Sequence, residues 1–126
     1  MKIIRLANPM VRAVLRSPAH RLLSGRLLLL AYRGHRTGRV YEIPLRYARL
    51  GDGQLVVVAL RPEGKRWWRS VVSPTSVRLV LRGARLDAVA QLLEDDGREA
   101  ARRAYARGSA RVERLTRDAA IVLITI

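Results

Sequence analysis

The fold is decided by residues 27–60, which read LLLLAYRGHRTGRVYEIPLRYARLGDGQLVVVAL. An apolar run, Leu27 to Tyr32, ends at a turn with two glycines, and apolar and polar residues then alternate from Val40 to Tyr47. Such alternation is typical of a strand with one buried face. The triplet Gly51-Asp52-Gly53 is a hairpin signal, and the valines of Gln54 to Leu60 predict a strand buried on both faces. Three strands with short connections are expected.

Further elements are predicted on both sides of this stretch. Residues 8–24 have apolar positions at helical spacing and predict a helix that Pro18 breaks or kinks. A short helix is expected over Lys65 to Ser73, and another over Gly97 to Arg107 with Asp95 as its cap. The remaining strands are expected over residues 77–81, 85–93 and 120–126.

The order of these elements predicts the fold class. Many antiparallel strands and too few crossovers for a parallel sheet favour an α+β protein, a small and mainly antiparallel β-barrel of about six strands with helices packed at its ends. The 126 residues contain no internal repeat or linker, so residues 1–126 are expected to form a single domain. Because six strands would barely close, we expect the helices or a second subunit, as in a homodimer, to complete the barrel.

The charge balance indicates an anionic partner. The chain has 25 Lys and Arg against 10 Asp and Glu, a formal net charge of +15. Such a surface attracts nucleic acid, anionic lipid or a ligand that carries phosphates and carboxylates. No helix-turn-helix, zinc-finger or RNA-recognition signature accompanies the charge, which argues against nucleic acid. The basic stretch 2–23 is a candidate for peripheral contact with an anionic membrane, although packing on the barrel end is the favoured interpretation.

Composition also excludes several kinds of chemistry. Cysteine is absent, which removes disulfides, thiol catalysis and cysteine-ligated metals, and the two histidines, His20 and His35, make a metal site unexpected. No apolar run approaches the ~20 residues that span a bilayer, and the N-terminus lacks a signal-peptide pattern, so a cytoplasmic location is expected. Nucleophile elbows, phosphate-binding loops and catalytic triads are missing, so we expect no catalytic side chain; an enzyme would need a cofactor.

Two motifs are candidate binding sites. In Gly34-His35-Arg36-Thr37-Gly38 the glycines allow a tight turn whose N–H groups can point at one anion, with Arg36, Arg39 and the Thr37 hydroxyl as further donors. A solvated basic turn is the alternative. In Arg66-Trp67-Trp68-Arg69 the tryptophans could stack on a flat anionic ligand. Neighbouring helical residues project about 100° apart, so we expect one Trp in the core and the other along a groove.

In this order the motifs resemble the deazaflavin-dependent nitroreductase family, within the split β-barrel (FMN-binding-like) flavin and deazaflavin oxidoreductases. The resemblance covers about residues 26–93. It is carried by Gly34 to Gly38, Pro44-Leu45, Leu55 to Leu60, Trp67 to Val71 and Ser73-Pro74. What it implies is a split β-barrel that binds the deazaflavin coenzyme F-420, with FMN as the alternative.

The resemblance also implies which residues bind the coenzyme. His35, Arg36 and Thr37 would contact its phosphate and acidic tail. The rest of the groove would be lined by Tyr41, Pro44, Leu45, Arg46, Val58, Ala59, Leu60, Arg61, Arg66, Trp67 and Trp68. In members that reduce nitro compounds, tyrosines near the C-terminus line the substrate pocket. Tyr105 would match the first of them, whereas Gly108 and Arg111 occupy the later positions.

The implied function is an oxidoreductase that transfers hydride from reduced F-420 to a small apolar unsaturated or quinone-like acceptor. Leu60 and Arg46 stand where the family often has Ser and Tyr. They motivate an alternative, a non-catalytic protein of the same fold that binds deazaflavin, FMN or haem. A basic protein that binds nucleic acid or anionic membrane is the second alternative.

Overall fold

The computed structural model describes residues 3–5 and 27–126. In this part of the chain eight strands form one sheet. The strands are β1 (Ile3–Arg5), β2 (Leu27–Arg33), β3 (Val40–Arg46), β4 (Ala48–Gly51), β5 (Gln54–Ala59), β6 (Thr75–Leu81), β7 (Ala84–Leu93) and β8 (Ala120–Thr125). The helices are α1 (Arg98–Ala106) and α2 (Ala110–Leu115), with short 3-10 helices at Pro62–Gly64 and Trp67–Val71.

The sheet curls into a split β-barrel. Its strand order is β1-β3-β2-β6-β7-β8-β5-β4, in which β1 runs parallel to β3 and the other neighbours are antiparallel. Although β3 and β5 lie far apart in that order, they also contact each other. A sheet brings such distant strands together only by curling on itself. The expected α+β, mainly antiparallel split barrel is therefore confirmed.

The inside of the barrel holds the larger apolar core. On β3 the face predicted from the alternation, Tyr41, Ile43, Leu45 and Tyr47, packs in or against this interior cluster. Central strands supply fully buried residues such as Leu28, Leu79 and Val122, and Trp67 and Val71 enter from the second 3-10 helix. The interior is consequently aliphatic over most of its length and aromatic near the start of β3.

A smaller outer core lies beneath α1. Val56 and Val58 of β5 face outward and pack with Ala101 and Tyr105 of the helix, while Val57 of the same strand faces the interior. This two-sided burial is what the run of three valines predicts. Helix α1 thus covers the outside of β4, β5 and β8.

Most predicted elements are confirmed, and some differ. Strands β1 and β4 are additional to the expected set, and the expected short helix is confined to Trp67–Val71. Asp95 as the helix cap is wrong: Gly97, at φ 90°, occupies the N-cap position, and no side chain caps it. The reason is that Asp95 lies two positions before the N-cap, and its backbone carbonyl accepts a hydrogen bond from Arg98 N–H instead. The helix predicted over residues 8–24 lies outside the described residues.

Candidate functional site

A pocket of about 210 Å³ opens at the β2–β3 turn. The sequence-predicted residues that line it are His35, Arg36, Thr37, Tyr41 and Arg66. They come from two places in the chain, the turn and the segment before the second 3-10 helix. Two of these side chains are guanidinium groups, and among the described residues that line the pocket there is no carboxylate. The pocket is therefore electropositive.

Hydrogen bonds hold the turn in a fixed shape. Gly34 N–H donates to the Arg39 carbonyl at 2.7 Å, and Gly38 N–H donates to the Gly34 carbonyl at 2.9 Å. Arg33 Nη1 donates to the Gly38 carbonyl at 2.6 Å. Gly38 has φ 70°, the left-handed conformation that glycine adopts without strain. The sequence prediction of a tight glycine-dependent turn is confirmed.

The hydrogen bonds also determine which amides of the turn can bind a ligand. The N–H groups of Gly34, His35 and Gly38 already donate within the protein. Among the described residues, no partner accepts from the amides of Arg36 and Thr37. Several N–H groups were expected to point at one anion. Among the described residues of the turn, only the amides of Arg36 and Thr37 remain available for it, next to the Arg36 guanidinium.

Two tyrosines form the aromatic wall of the pocket. The rings of Tyr32 and Tyr41 stack with centroids 5.6 Å apart and planes inclined at 24°. The Tyr41 hydroxyl lies 3.0 Å from Thr37 Oγ1, which also accepts from Arg39 N–H at 3.2 Å. When Tyr41 donates in this pair, the Thr37 proton is left for a ligand. Burial, reinforced by Tyr41, raises the pKa of Tyr32 to about 12, so its hydroxyl keeps its proton.

Ser70 connects the turn to the tryptophan segment. Its Oγ accepts from His35 N–H at 3.0 Å and lies 3.0 Å from His35 Nδ1. This contact fixes the start of the turn against the helix that follows Arg66. Sequence reasoning missed both Ser70 and Tyr32 as lining residues. Tyr32 had a usable signal, since it stands opposite Tyr41 in the β2–β3 hairpin, whereas nothing local marks Ser70.

The two tryptophans have different environments. Trp67 is buried in the interior cluster and Trp68 is half-buried at its edge. This confirms the expected core position of one tryptophan, and the groove position of the other stays a prediction. Trp68 Nε1–H donates to the Pro62 carbonyl at 2.8 Å, and the Arg69 guanidinium lies 5.4 Å from the ring centroid. Neither tryptophan lines the pocket at the turn as the structure describes it.

The remaining predicted residues do not share one surface. Leu45 faces the interior cluster, whereas Pro44 pairs with Leu29 and lies on the opposite face of β3. Val58 packs in the outer core, and Ala59 is buried inside the barrel. Leu60 and Arg61, which follow β5, are both exposed, and Arg61 has the strained left-handed φ of 53°. The structure thus brings together the turn, Tyr41 and Arg66, but not the β5 side chains.

Arg46 and Tyr105 form a contact outside the barrel. The Arg46 guanidinium lies 4.8 Å from the Tyr105 ring centroid. Burial raises the pKa of Tyr105, and Arg46 opposes that shift. Tyr105 packs in the outer core and does not line the pocket at the turn, so its role in a substrate pocket stays a prediction.

Within residues 3–5 and 27–126, His, Asp and Glu side chains form no cluster suited to a metal ion. The helices of the same residues include none long and apolar enough to cross a membrane. The basic stretch 2–23 lies mostly outside the described residues, so its membrane contact stays a prediction.

The fold defines a split β-barrel protein, and the pocket at the β2–β3 turn is electropositive. Residues 3–124 match the family described as F420H(2)-dependent quinone reductase. The chain belongs to this family, and it is accordingly a reductase that uses coenzyme F-420. This confirms the expected deazaflavin cofactor. No curated protein sequence matches the chain significantly.

Solved structures with the same fold are similar to the chain throughout its length. A structure described as an F420-H2 dependent reductase (FDR-A) has a TM-score of 0.63 and 21% identity, covering 80% of this chain and 94% of that one. A domain-swapped dimer has a TM-score of 0.58 and 21% identity, with coverages of 94% and 100%. HutZ, the heme storage protein from Vibrio cholerae, has a TM-score of 0.56 and 17% identity, with coverages of 97% and 90%.

Proposed function

We propose that the chain reduces a quinone or a similarly small, apolar, unsaturated acceptor, and that the acidic part of F-420 binds at the β2–β3 turn. The pocket at the turn supports this placement of the coenzyme's acidic part. It presents the guanidinium groups of Arg36 and Arg66 together with the unengaged amides of Arg36 and Thr37. A phosphate or carboxylate needs charged and backbone donors of this kind. The donor set fits the coenzyme's anionic groups.

When bound, reduced F-420 supplies the hydride. The acceptor takes the two electrons with that hydride and a further proton from solvent, which converts a quinone to its hydroquinone. The chain's own contribution is to bind and orient, because hydride transfer needs no protein nucleophile, and the Ser70–His35 pair at 3.0 Å lies at an exposed surface. Holding reactants in line is worth a large part of a catalysed rate.

The ring system is proposed to lie along the barrel edge between the start of β3 and the end of β5. Ala59, Leu60 and Arg61 are proposed to contact it through backbone groups, since their side chains point to different environments. Trp68 offers a half-buried aromatic edge, fixed by its hydrogen bond to the Pro62 carbonyl. An apolar wall of this kind excludes water from the reacting atoms.

Fluorescence titration with F-420 tests the turn assignment. Replacing Arg36 with Ala removes a charge-assisted contact, so affinity should fall about tenfold, the equivalent of roughly 1.4 kcal/mol. Arg39→Ala is the matched control, because Arg39 belongs to the same turn and carries the same charge but does not line the pocket. Equal losses in both variants would mean that net charge alone, and not the pocket, attracts the coenzyme.

An acceptor assay tests the reaction. The protein with reduced F-420 and a water-soluble naphthoquinone should oxidise the coenzyme, followed as the return of deazaflavin fluorescence. Tight binding with no oxidation by any quinone or other unsaturated acceptor would instead support the non-catalytic binding protein. Binding of FMN in place of F-420 would contradict the cofactor placement.

We further propose that the protein functions as a homodimer. The supporting observation is that the similar structure described as a domain-swapped dimer covers 94% of this chain. Light scattering coupled to size exclusion should give about twice the monomer mass, and a monomer at micromolar concentration would reject the proposal.

A further inference from the structure

A second pocket, of about 310 Å³, lies away from the β2–β3 turn. Its charged lining consists of Arg49 on β4, Arg82 in the β6–β7 turn and Arg107 at the end of α1. The remaining lining residues, Tyr47, Ala48 and Ala104, form a largely buried floor. It has no described lining residue in common with the pocket at the turn.

The three guanidinium groups have no acidic partner in the part of the chain that the structure describes. Among the described residues none of the three forms an ion pair with an Asp or Glu. By contrast, other exposed arginines do, as in the pair between Arg78 and Asp87 at 3.4 Å. Like charges that converge on one pocket repel each other. Because the three side chains are exposed, water and salt screen this repulsion, and an anion bound among them would remove it.

The backbone conformation of two of these arginines guides the choice of variants. Arg82 has φ 52° and forms the two-residue β6–β7 hairpin turn with Gly83, and Arg107 has φ 51° and caps the C-terminus of α1. Side chains other than Gly and Asn adopt this conformation at a cost in stability. Asn is therefore the substitution that removes the guanidinium and suits the backbone at both positions.

We propose that Arg49, Arg82 and Arg107 form a second anion-binding site, which takes a small ligand carrying at least two negative charges, such as a diphosphate or a dicarboxylate. Guanidinium groups from three elements match the several oxygen atoms of such a group. The concave shape and buried floor favour a free small molecule over a flat membrane surface. This site goes beyond the proposed function and does not depend on F-420.

Calorimetric titration with pyrophosphate tests the site. The titration uses the Arg36→Ala protein, so that pyrophosphate binding at the turn pocket contributes little to the measured heat. The informative variants are Arg82→Asn and Arg107→Asn, because Asn suits the left-handed backbone and removes only the guanidinium. Each should weaken pyrophosphate binding at least tenfold, while the melting temperature without ligand stays the same or rises. Arg114→Gln, on an exposed face of α2 outside the pocket, is the control for net charge and should bind as the parent does.

Two results would overturn the proposal. One is unchanged pyrophosphate affinity in both Asn variants, and the other is an equal loss in Arg114→Gln. Sedimentation with phosphatidylglycerol vesicles identifies the source of the anion. If Arg82→Asn and Arg107→Asn, but not Arg114→Gln, abolish vesicle binding that pyrophosphate does not displace, the free-ligand assignment is wrong and a lipid phosphate is the anion. Because none of these readouts uses F-420 or an acceptor, their failure leaves the reductase proposal untouched.

Discussion

Gly34 shows at the scale of one residue why the turn needs a glycine. A Cβ at this position would meet Tyr41 Cε2 at 2.7 Å and Thr37 Oγ1 at 3.0 Å. Real Cβ atoms do not approach other atoms that closely, so a side chain here must displace both neighbours. Since Tyr41 is also stacked on Tyr32, it has little freedom to move aside. Glycine is therefore required at position 34 because there is no space for a side chain beside the pocket.

Gly34→Ala is expected to lower the free energy of unfolding by about 1–3 kcal/mol, as overpacking does, and to weaken F-420 binding. Chemical denaturation and fluorescence titration measure the two effects. Gly64→Ala is the matched control, since a Cβ at Gly64 would meet nothing within 4 Å. Gly34→Ala with stability and affinity equal to those of Gly64→Ala would contradict the crowding argument.

Tyr32 predicts how stability depends on alkaline pH. The unfolded chain loses this proton near the ordinary pKa of 10.0, while the folded protein keeps it to about 12. Below pH 10 the tyrosine is protonated in both states and has no effect. Between pH 10 and 12 only the unfolded state ionises, so stability should fall by about 3 kcal/mol.

Urea denaturation at pH 9 and pH 12 checks this prediction. In Tyr32→Phe most of the loss of unfolding free energy between pH 9 and pH 12 should be absent. A smaller loss should remain from Tyr105, because burial also raises the pKa of that tyrosine. An identical fall in the wild type and the variant would show that Tyr32 is not the group responsible.

Individual residues also show which structural features the sequence could predict and which it could not. The alternation on β3 predicted the inward face of Tyr41 and Leu45 because side chains alternate by simple geometry. The outward face of Val58 was not predicted, since a continuous apolar run does not reveal which residues face which core. The left-handed backbone of Arg61, Arg82 and Arg107 was not predicted either, because this conformation is usually predicted only at Gly or Asn.

At the scale of elements, Ser70 joins the turn to the second 3-10 helix. The turn residue His35 reaches Ser70 across 35 positions of sequence. Arg66, which precedes the helix, lines the same pocket. The relative position of the two guanidinium groups therefore depends on this junction.

Ser70→Ala removes both contacts with His35 and should weaken F-420 binding severalfold, because the turn loses its anchor to the helix. The expected change in unfolding free energy is small, about 1 kcal/mol, since the bonds lie at a partly solvated surface. Ser76→Ala, at an exposed position of β6, provides the comparison for both readouts. A normal affinity in Ser70→Ala would mean that the turn keeps its shape without the helix.

Elements defined by local pattern were predictable, and those defined by distant partners were not. The hairpin of β6 and β7 follows from alternation and Gly83, and α1 follows from its own sequence. The three residues of β1, in contrast, form a strand only because they pair with residues 40–42. Similarly, β4 is a four-residue strand whose register shifts against β5, and so short and irregular a pattern carries no signal of its own.

At the scale of the whole molecule, the net charge of +15 acts on any anionic ligand before contact. Few acidic groups neutralise it locally: in the described residues the ion pairs involve Asp87 and Glu99 as the carboxylates. A field of this sign raises the association rate of an anion and is screened by salt, whereas a direct contact mainly determines the dissociation rate. The two contributions can therefore be separated by kinetics.

Stopped-flow binding of F-420 at about 20 and 200 mM salt makes the separation. The Debye length shrinks about threefold over this interval, from roughly 20 to 7 Å, so the association rate constant should fall at least severalfold in the wild type and in Arg36→Ala alike. Arg36→Ala should differ chiefly by a faster dissociation rate, because it removes a contact but only one of many charges. Arg39→Ala should show the same salt dependence with an unchanged dissociation rate. If Arg36→Ala instead abolished the salt dependence, attraction would reside in that one side chain, and the excess of arginine over the rest of the molecule would have no part in capturing the coenzyme.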